Sequence, residues 1–85
     1  MELRDTYARM VSEDYKDRFI AEYCQLKIRY NKLKTMLDKW DNNELDFTPT
    51  CPRSLYDLQI KGMEVYLDVL GDRAEIEKIE LPKIF

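Results

Sequence analysis

The sequence predicts an all-α protein: a short N-terminal helix and two long antiparallel helices forming a hairpin, assembled as a homo-oligomer. Three observations carry this expectation. Apolar residues recur at helical spacing over two long stretches, Gly and Pro number only 2 and 3, and charged residues make up 36% of the chain. Such a composition suits long solvated helices better than a sheet. Eighty-five residues make a single domain. A chain of that size buries only roughly 60% of its unfolded surface, so folds this small usually need a disulfide, a metal or a partner chain.

Each element follows from its residues. Leu3, Tyr7, Met10 and Val11 form a short amphipathic pattern, giving a first helix over about residues 2–13. Its phase does not continue, because Asp14 and Asp17 would then fall on the apolar face. A break near residues 12–15 is expected, with Ser12 or Asp14 capping the next helix; one continuous helix is the alternative. Phe19, Tyr23, Leu26, Tyr30, Leu33, Leu37 and Trp40 then follow at spacings of 4, 3, 4, 3, 4 and 3. This heptad stripe places every one of them on a single face of a long helix, residues 15–40. Asp41-Asn42-Asn43 ends it, since these side chains compete for backbone hydrogen bonds.

Residues 41–51 read as a connector, with Pro49 and Pro52 excluding a helix interior there. Thr50 or Cys51 is expected at the cap of the last helix, residues 52–79, and Leu45 and Phe47 over the end of the hairpin. That helix carries two apolar stripes. Leu55, Leu58, Val65, Val69 and Ile76 form one, with Gly62 completing the spacing; Tyr56, Ile60, Met63, Leu67, Leu70 and Ala74 form the other. Together they span a wider arc than one partner helix can cover. Contiguous apolar patches on small proteins usually mark interfaces, so self-association is expected. Ile20, Cys24 and Ile28 also lie off the main seam of the second helix, where the first helix and the tail are the alternative covering. Gly62 costs helix stability and suggests close approach of another helix. Residues 80–85 form a tail, broken by Pro82, whose apolar end is expected to dock on a neighbour.

Composition also excludes chemistry. Without histidine, neither a Ser-His nor a Cys-His nucleophile pair can be built. Cys24 and Cys51 lie too far apart for a Cys-x-x-Cys metal pair. Reduced thiols are a better reading than one disulfide, because the start Met-Glu-Leu-Arg-Asp-Thr lacks a signal-peptide core. No apolar run reaches membrane-spanning length. Catalytic residues, metal and cofactor are therefore expected to be none, and a non-enzyme is predicted. The net charge of -3 argues against duplex nucleic acid, which demands a basic footprint.

One asymmetry remains. Between Glu22 and Asp38 the chain holds Lys27, Arg29, Lys32 and Lys34 and no acid. Either these bases pair with acids of the last helix or snorkel beside the seam, or they flank the tyrosine seam as an anion site. In the second case aromatic faces hold bases and cations hold phosphates.

The run Asp17-Arg18-Phe19-Ile20-Ala21-Glu22-Tyr23-Cys24-Gln25-Leu26 has further significance. With the Lys-rich stretch to Trp40, Leu58-Gln59, Met63–Leu70 and Arg73, it resembles a family of small helical-hairpin proteins of crAss-like and other tailed phages. The likeness covers roughly residues 17–81, and the family is similar to the phage anti-CBASS cyclic-nucleotide sponges. The Pro-containing connector and Cys51 depart from that pattern. The resemblance implies a hexamer in the cytoplasm of the infected bacterium that sequesters cyclic di- or trinucleotides and so blocks immune signalling without catalysis. It implies pockets between protomers, with Tyr23 in the stacking role, Lys27 or Lys39 in the phosphate role, and Arg73 as the late arginine. The alternative from another class is a helical adaptor, or an inhibitor of a host protein, with no nucleotide ligand. DNA binding through the basic stretch ranks last on charge.

Overall fold

A computed structural model describes residues 1–84; Phe85, counted with the apolar tail, lies outside the described residues. The described chain is all-helical, with three helices and no strand among the described residues. A 3-10 turn, Leu3–Thr6, runs into α1, Tyr7–Met10; α2 spans Tyr15–Asp41 and α3 spans Arg53–Glu77.

The chain breaks between α1 and α2, and polar side chains hold the break. Asp14 caps α2 by accepting from the Lys16 N–H at 2.9 Å. Ser12 donates to Asp17 at 2.9 Å and accepts from the Asp14 N–H at 3.1 Å, while Arg18 donates to the Ser12 carbonyl at 2.8 Å. The amphipathic reading of the first helix is corrected. Tyr7, Met10 and Val11 are exposed, and Thr6 is the buried residue of this segment. The tighter 3-10 turn shifts which side faces inward. Thr6 satisfies its hydroxyl by donating to the Leu3 carbonyl and accepting from Gln25 of α2.

Both long helices end in the same way. Asn43 and Lys78 take left-handed φ values of 57°, and the next N–H reaches back five residues. Glu44 thus donates to the Lys39 carbonyl and Ile79 to that of Ala74, both at 2.8 Å. These are Schellman endings, which satisfy carbonyls that a helix end leaves free. Asn tolerates this backbone. Lys78 is less suited to it, and burial of Ile79 just beyond favours the turn. At the start of α3 the cap is Pro52, not Thr50 or Cys51, and no side chain caps it. Its fixed φ of -64° leads straight into the first turn.

Contacts at both ends show that α2 and α3 run antiparallel. Phe19 packs with Leu70 and Ala74 at one end. At the other, Trp40 meets Tyr56 edge-on at 5.8 Å and Asp41 binds Arg53 at 2.6 Å. The main core is Phe19, Leu70, Ala74 and Ile79, flanked by Ile20, Tyr23, Leu26 and Leu81. The tail therefore docks on its own protomer through Ile79 and Leu81. The opposite side of α2 is also covered from within: Cys24 and Ile28 are buried there. Gln25 bonds Thr6 beside them, and Met1 and Ile84 line a hollow with Ile28. Both cysteines are free thiols.

One apolar surface stays open. The Tyr56–Ile60–Leu70–Ala74 side of α3 packs inward, whereas Leu55, Leu58, Val65, Val69 and Ile76 all face solvent, Ile76 at 80% exposure. Each forgoes much of the roughly 1.5–3 kcal/mol that burying such a side chain provides. Gly62 lies on this stripe, and a Cβ built there meets nothing within 4 Å. No neighbour within the chain requires the glycine.

Candidate functional site

The Lys-rich surface is built by α2 alone. The acid-free stretch places Tyr23, Lys27, Tyr30 and Lys34 at successive spacings of 4, 3 and 4, so they form one ridge along the helix. Among the described residues the ion pairs involve Arg4, Arg53 and Arg73; Lys27, Arg29, Lys32, Lys34 and Lys39 enter none. The expectation that these bases pair with the acids of α3 is therefore corrected. Acids of α3 lie across a shallow groove of about 180 Å³, lined by Lys27, Tyr30, Glu64, Leu67 and Asp68. Instead of pairing with them, Lys27 places its ammonium 5.3 Å from the centroid of the Tyr30 ring. That contact is a cation–π interaction.

The four residues singled out from sequence occupy different places. Tyr23 is half-buried against the Phe19 cluster, so part of its ring already serves the core. Beside it, Tyr66 of α3 donates a hydrogen bond to Glu22. Arg73 lies at the same end of the hairpin, its guanidinium 4.8 Å from the Phe19 ring centroid and its Nε 3.0 Å from Glu77. Lys27 stands one turn along α2 from Tyr23. Lys39 is exposed in the last turn of α2, about 24 Å along the helix axis from Tyr23. A single protomer thus gathers Tyr23, Lys27 and Arg73 loosely at one end and leaves Lys39 at the other.

The groove beside Lys27 is too mixed in charge to hold an anion unaided, since Glu64 and Asp68 line it with one lysine. A phosphate there needs cations from elsewhere. Sequence reading did not single out Glu64, Leu67 or Asp68 for this groove. The heptad stripe marked Tyr30 as a seam residue, but only the antiparallel register of α3 shows what faces it.

A second hollow, of about 320 Å³, opens at the far end between Trp40, Asn43, Leu45, Phe47, Thr48 and Pro49. Leu45 and Phe47 do reach the hairpin end, yet Phe47 stays exposed. Arg53 organises this end. It binds Asp41 and Asp57 and lies 5.3 Å from the Trp40 ring centroid. The Asp41 carboxyl is held below the usual aspartate range, first by its hydrogen bond from Arg53. On α2, burial pushes the Cys24 thiol upward, with Arg9 opposing weakly. No helix among the described residues is long and apolar enough to cross a membrane.

A family model described as Sequestin matches residues 13–76, which include α2, the connector and nearly all of α3. No curated protein and no solved structure matches the chain.

Proposed function

The chain belongs to the Sequestin family, and from that premise we propose that it sequesters cyclic di- or trinucleotide signals of bacterial immunity. In this reading it is a phage anti-defence protein of the anti-CBASS kind. It acts without catalysis in the cytoplasm of the infected host, as a homo-oligomer and on the family resemblance a hexamer. The family name itself denotes sequestration. The observation that carries the ligand class is the ridge on α2 where Lys27 and Lys34 stand free of ion pairs beside Tyr23 and Tyr30, in an otherwise acidic chain. Unpaired ammonium groups beside aromatic faces suit a phosphate-bearing nucleotide. The lack of any histidine supports binding without reaction.

Glu64 and Asp68 across the groove support a site completed between protomers. Cations such as Lys39 or Arg73 of a second copy would offset these carboxylates, while Tyr23 offers its remaining ring edge or face for stacking. A ligand that binds only the folded assembly stabilises it by about 2.7 kcal/mol at 100-fold excess over Kd. Thermal shift and calorimetry with a panel of cyclic di- and trinucleotides test the proposal. A raised Tm with at least one member is expected, and no shift with any member overturns it. Lys27→Ala and Tyr23→Ala should abolish binding while the sedimentation coefficient stays unchanged.

A further inference from the structure

The open stripe of α3 fits a second copy of itself. We infer that two α3 helices pair antiparallel about a two-fold axis passing at Gly62, burying Leu55, Leu58, Val65 and Val69 of each. The spacing is self-complementary about that glycine. Leu55 and Val69 each lie about 10.5 Å from Gly62 on opposite sides, and Leu58 and Val65 lie about 6 and 4.5 Å away. Reversing the helix therefore sets Leu55 against Val69 of the partner copy and Leu58 against Val65. A two-fold contact needs this property, because each patch must complement itself. Gly62 itself supplies an independent sign: the monomer puts nothing within 4 Å of a Cβ there, yet a glycine inside a helix is costly. A second backbone crossing at that point gives the residue its use.

Charge selects the antiparallel arrangement. On the N-terminal side of Gly62, Arg53, Asp57 and Lys61 leave net +1; on the C-terminal side, Glu64, Asp68, Asp72, Arg73, Glu75 and Glu77 leave net -4. A parallel pair sets the acidic halves together, whereas the antiparallel pair sets each acidic half against the basic one. The area is of the right order as well. Four aliphatic side chains at roughly 60–120 Å² each present roughly 240–480 Å² per copy, so with its polar rim the pair approaches the ~1,200 Å² of the smaller specific interfaces. Ile76 reaches past the first turn of the partner's α3, to the level of its connector. This pairing deepens the assembly half of the proposed function and rests on that half only; it is measured without nucleotide, so its failure and that of ligand binding are separable.

The full chain is tested by sedimentation equilibrium from about 1 to 100 µM. Self-association is expected in the parent. It should weaken at least tenfold in Val65→Asp and in Gly62→Leu, with helical circular dichroism retained because both positions are exposed. Orientation is read by disulfide trapping in a Cys51→Ser background. Leu55→Cys mixed with Val69→Cys should give a linked heterodimer, and neither variant alone should link. A monomer at every concentration, association indifferent to both substitutions, or self-linking by each variant alone overturns the pairing.

Discussion

Gly71→Ala isolates what a glycine costs α3, because a methyl group there has neither a backbone nor a packing objection to meet. Gly71 lies six residues inside the C-terminal end of α3. Its φ is not positive, and an added Cβ meets nothing within 4 Å. Alanine therefore gains helix propensity and restricts the unfolded chain, and the expected stabilisation is about 0.8–1 kcal/mol. For a domain of this size that corresponds to roughly 4–8 °C in Tm. In urea, with a slope of about 1–1.5 kcal/mol/M, it moves the midpoint upward by roughly 0.5–1 M. Gly62→Ala meets equally open space within the chain and should give the same gain in dilute solution. There the likeness ends, since Gly62 lies on the apolar stripe and Gly71 does not. The gain at Gly62 should shrink or reverse as concentration rises through the range of self-association, while the gain at Gly71 should not. Urea unfolding followed by circular dichroism at two protein concentrations reads both. A neutral or destabilising Gly71→Ala would refute the account of open space around α3.

Four more outcomes follow from the core, the surface and the ionisable groups. Leu70 is 1% exposed at the centre of the main cluster, so Leu70→Ala should cost about 2–5 kcal/mol by urea unfolding. Tyr7→Ser, at an exposed position, should stay within about 0.5 kcal/mol of the parent. Thiol labelling of the native protein should modify exposed Cys51 promptly and buried Cys24 slowly, because burial both shields Cys24 and keeps its thiol protonated. The Asp41 carboxyl is lowered mainly by its Arg53 hydrogen bond. The contact therefore stabilises the fold above the ordinary Asp value of about 3.9 and is lost as pH falls through the lowered one. An acid titration of Asp41→Asn should lack that limb, and since the Asp41 carboxylate is exposed the effect should be small.

The long helices were legible because a heptad repeat is a local property of the chain. All seven stripe residues from Phe19 to Trp40 are buried or half-buried. The two stripes of α3 were legible too, but nothing in the spacing says which one α2 covers. The answer depends on register, through pairs such as Phe19 with Leu70 and Trp40 with Tyr56. The N-terminal segment misled because four residues of 3-10 turn rotate its faces relative to α-helical spacing, exchanging exposed Tyr7 for buried Thr6. The end of α3 was obscured by Lys78, a residue that rarely marks a left-handed stop and is stabilised here by Ile79 beyond it. The candidate site was legible as a ridge of bases. The absence of ion pairs was not, since it depends on how far Glu64 and Asp68 stand from Lys27 across the groove.

The covering on the outer side of α2 comes from the two ends of the chain, and this has a dynamic consequence. The 3-10 turn with α1 and the end of the tail at Ile84 are expected to lift away while the core of Phe19, Leu70, Ala74 and Ile79 stays intact. The amides of Leu3–Met10 should therefore exchange hydrogen through sub-global opening, at rates nearly independent of low denaturant, while the middle of α2 exchanges only on global unfolding. Cys24, beneath that covering, would report the same opening: its slow labelling measures how often the ends release their hold, not how often the hairpin comes apart.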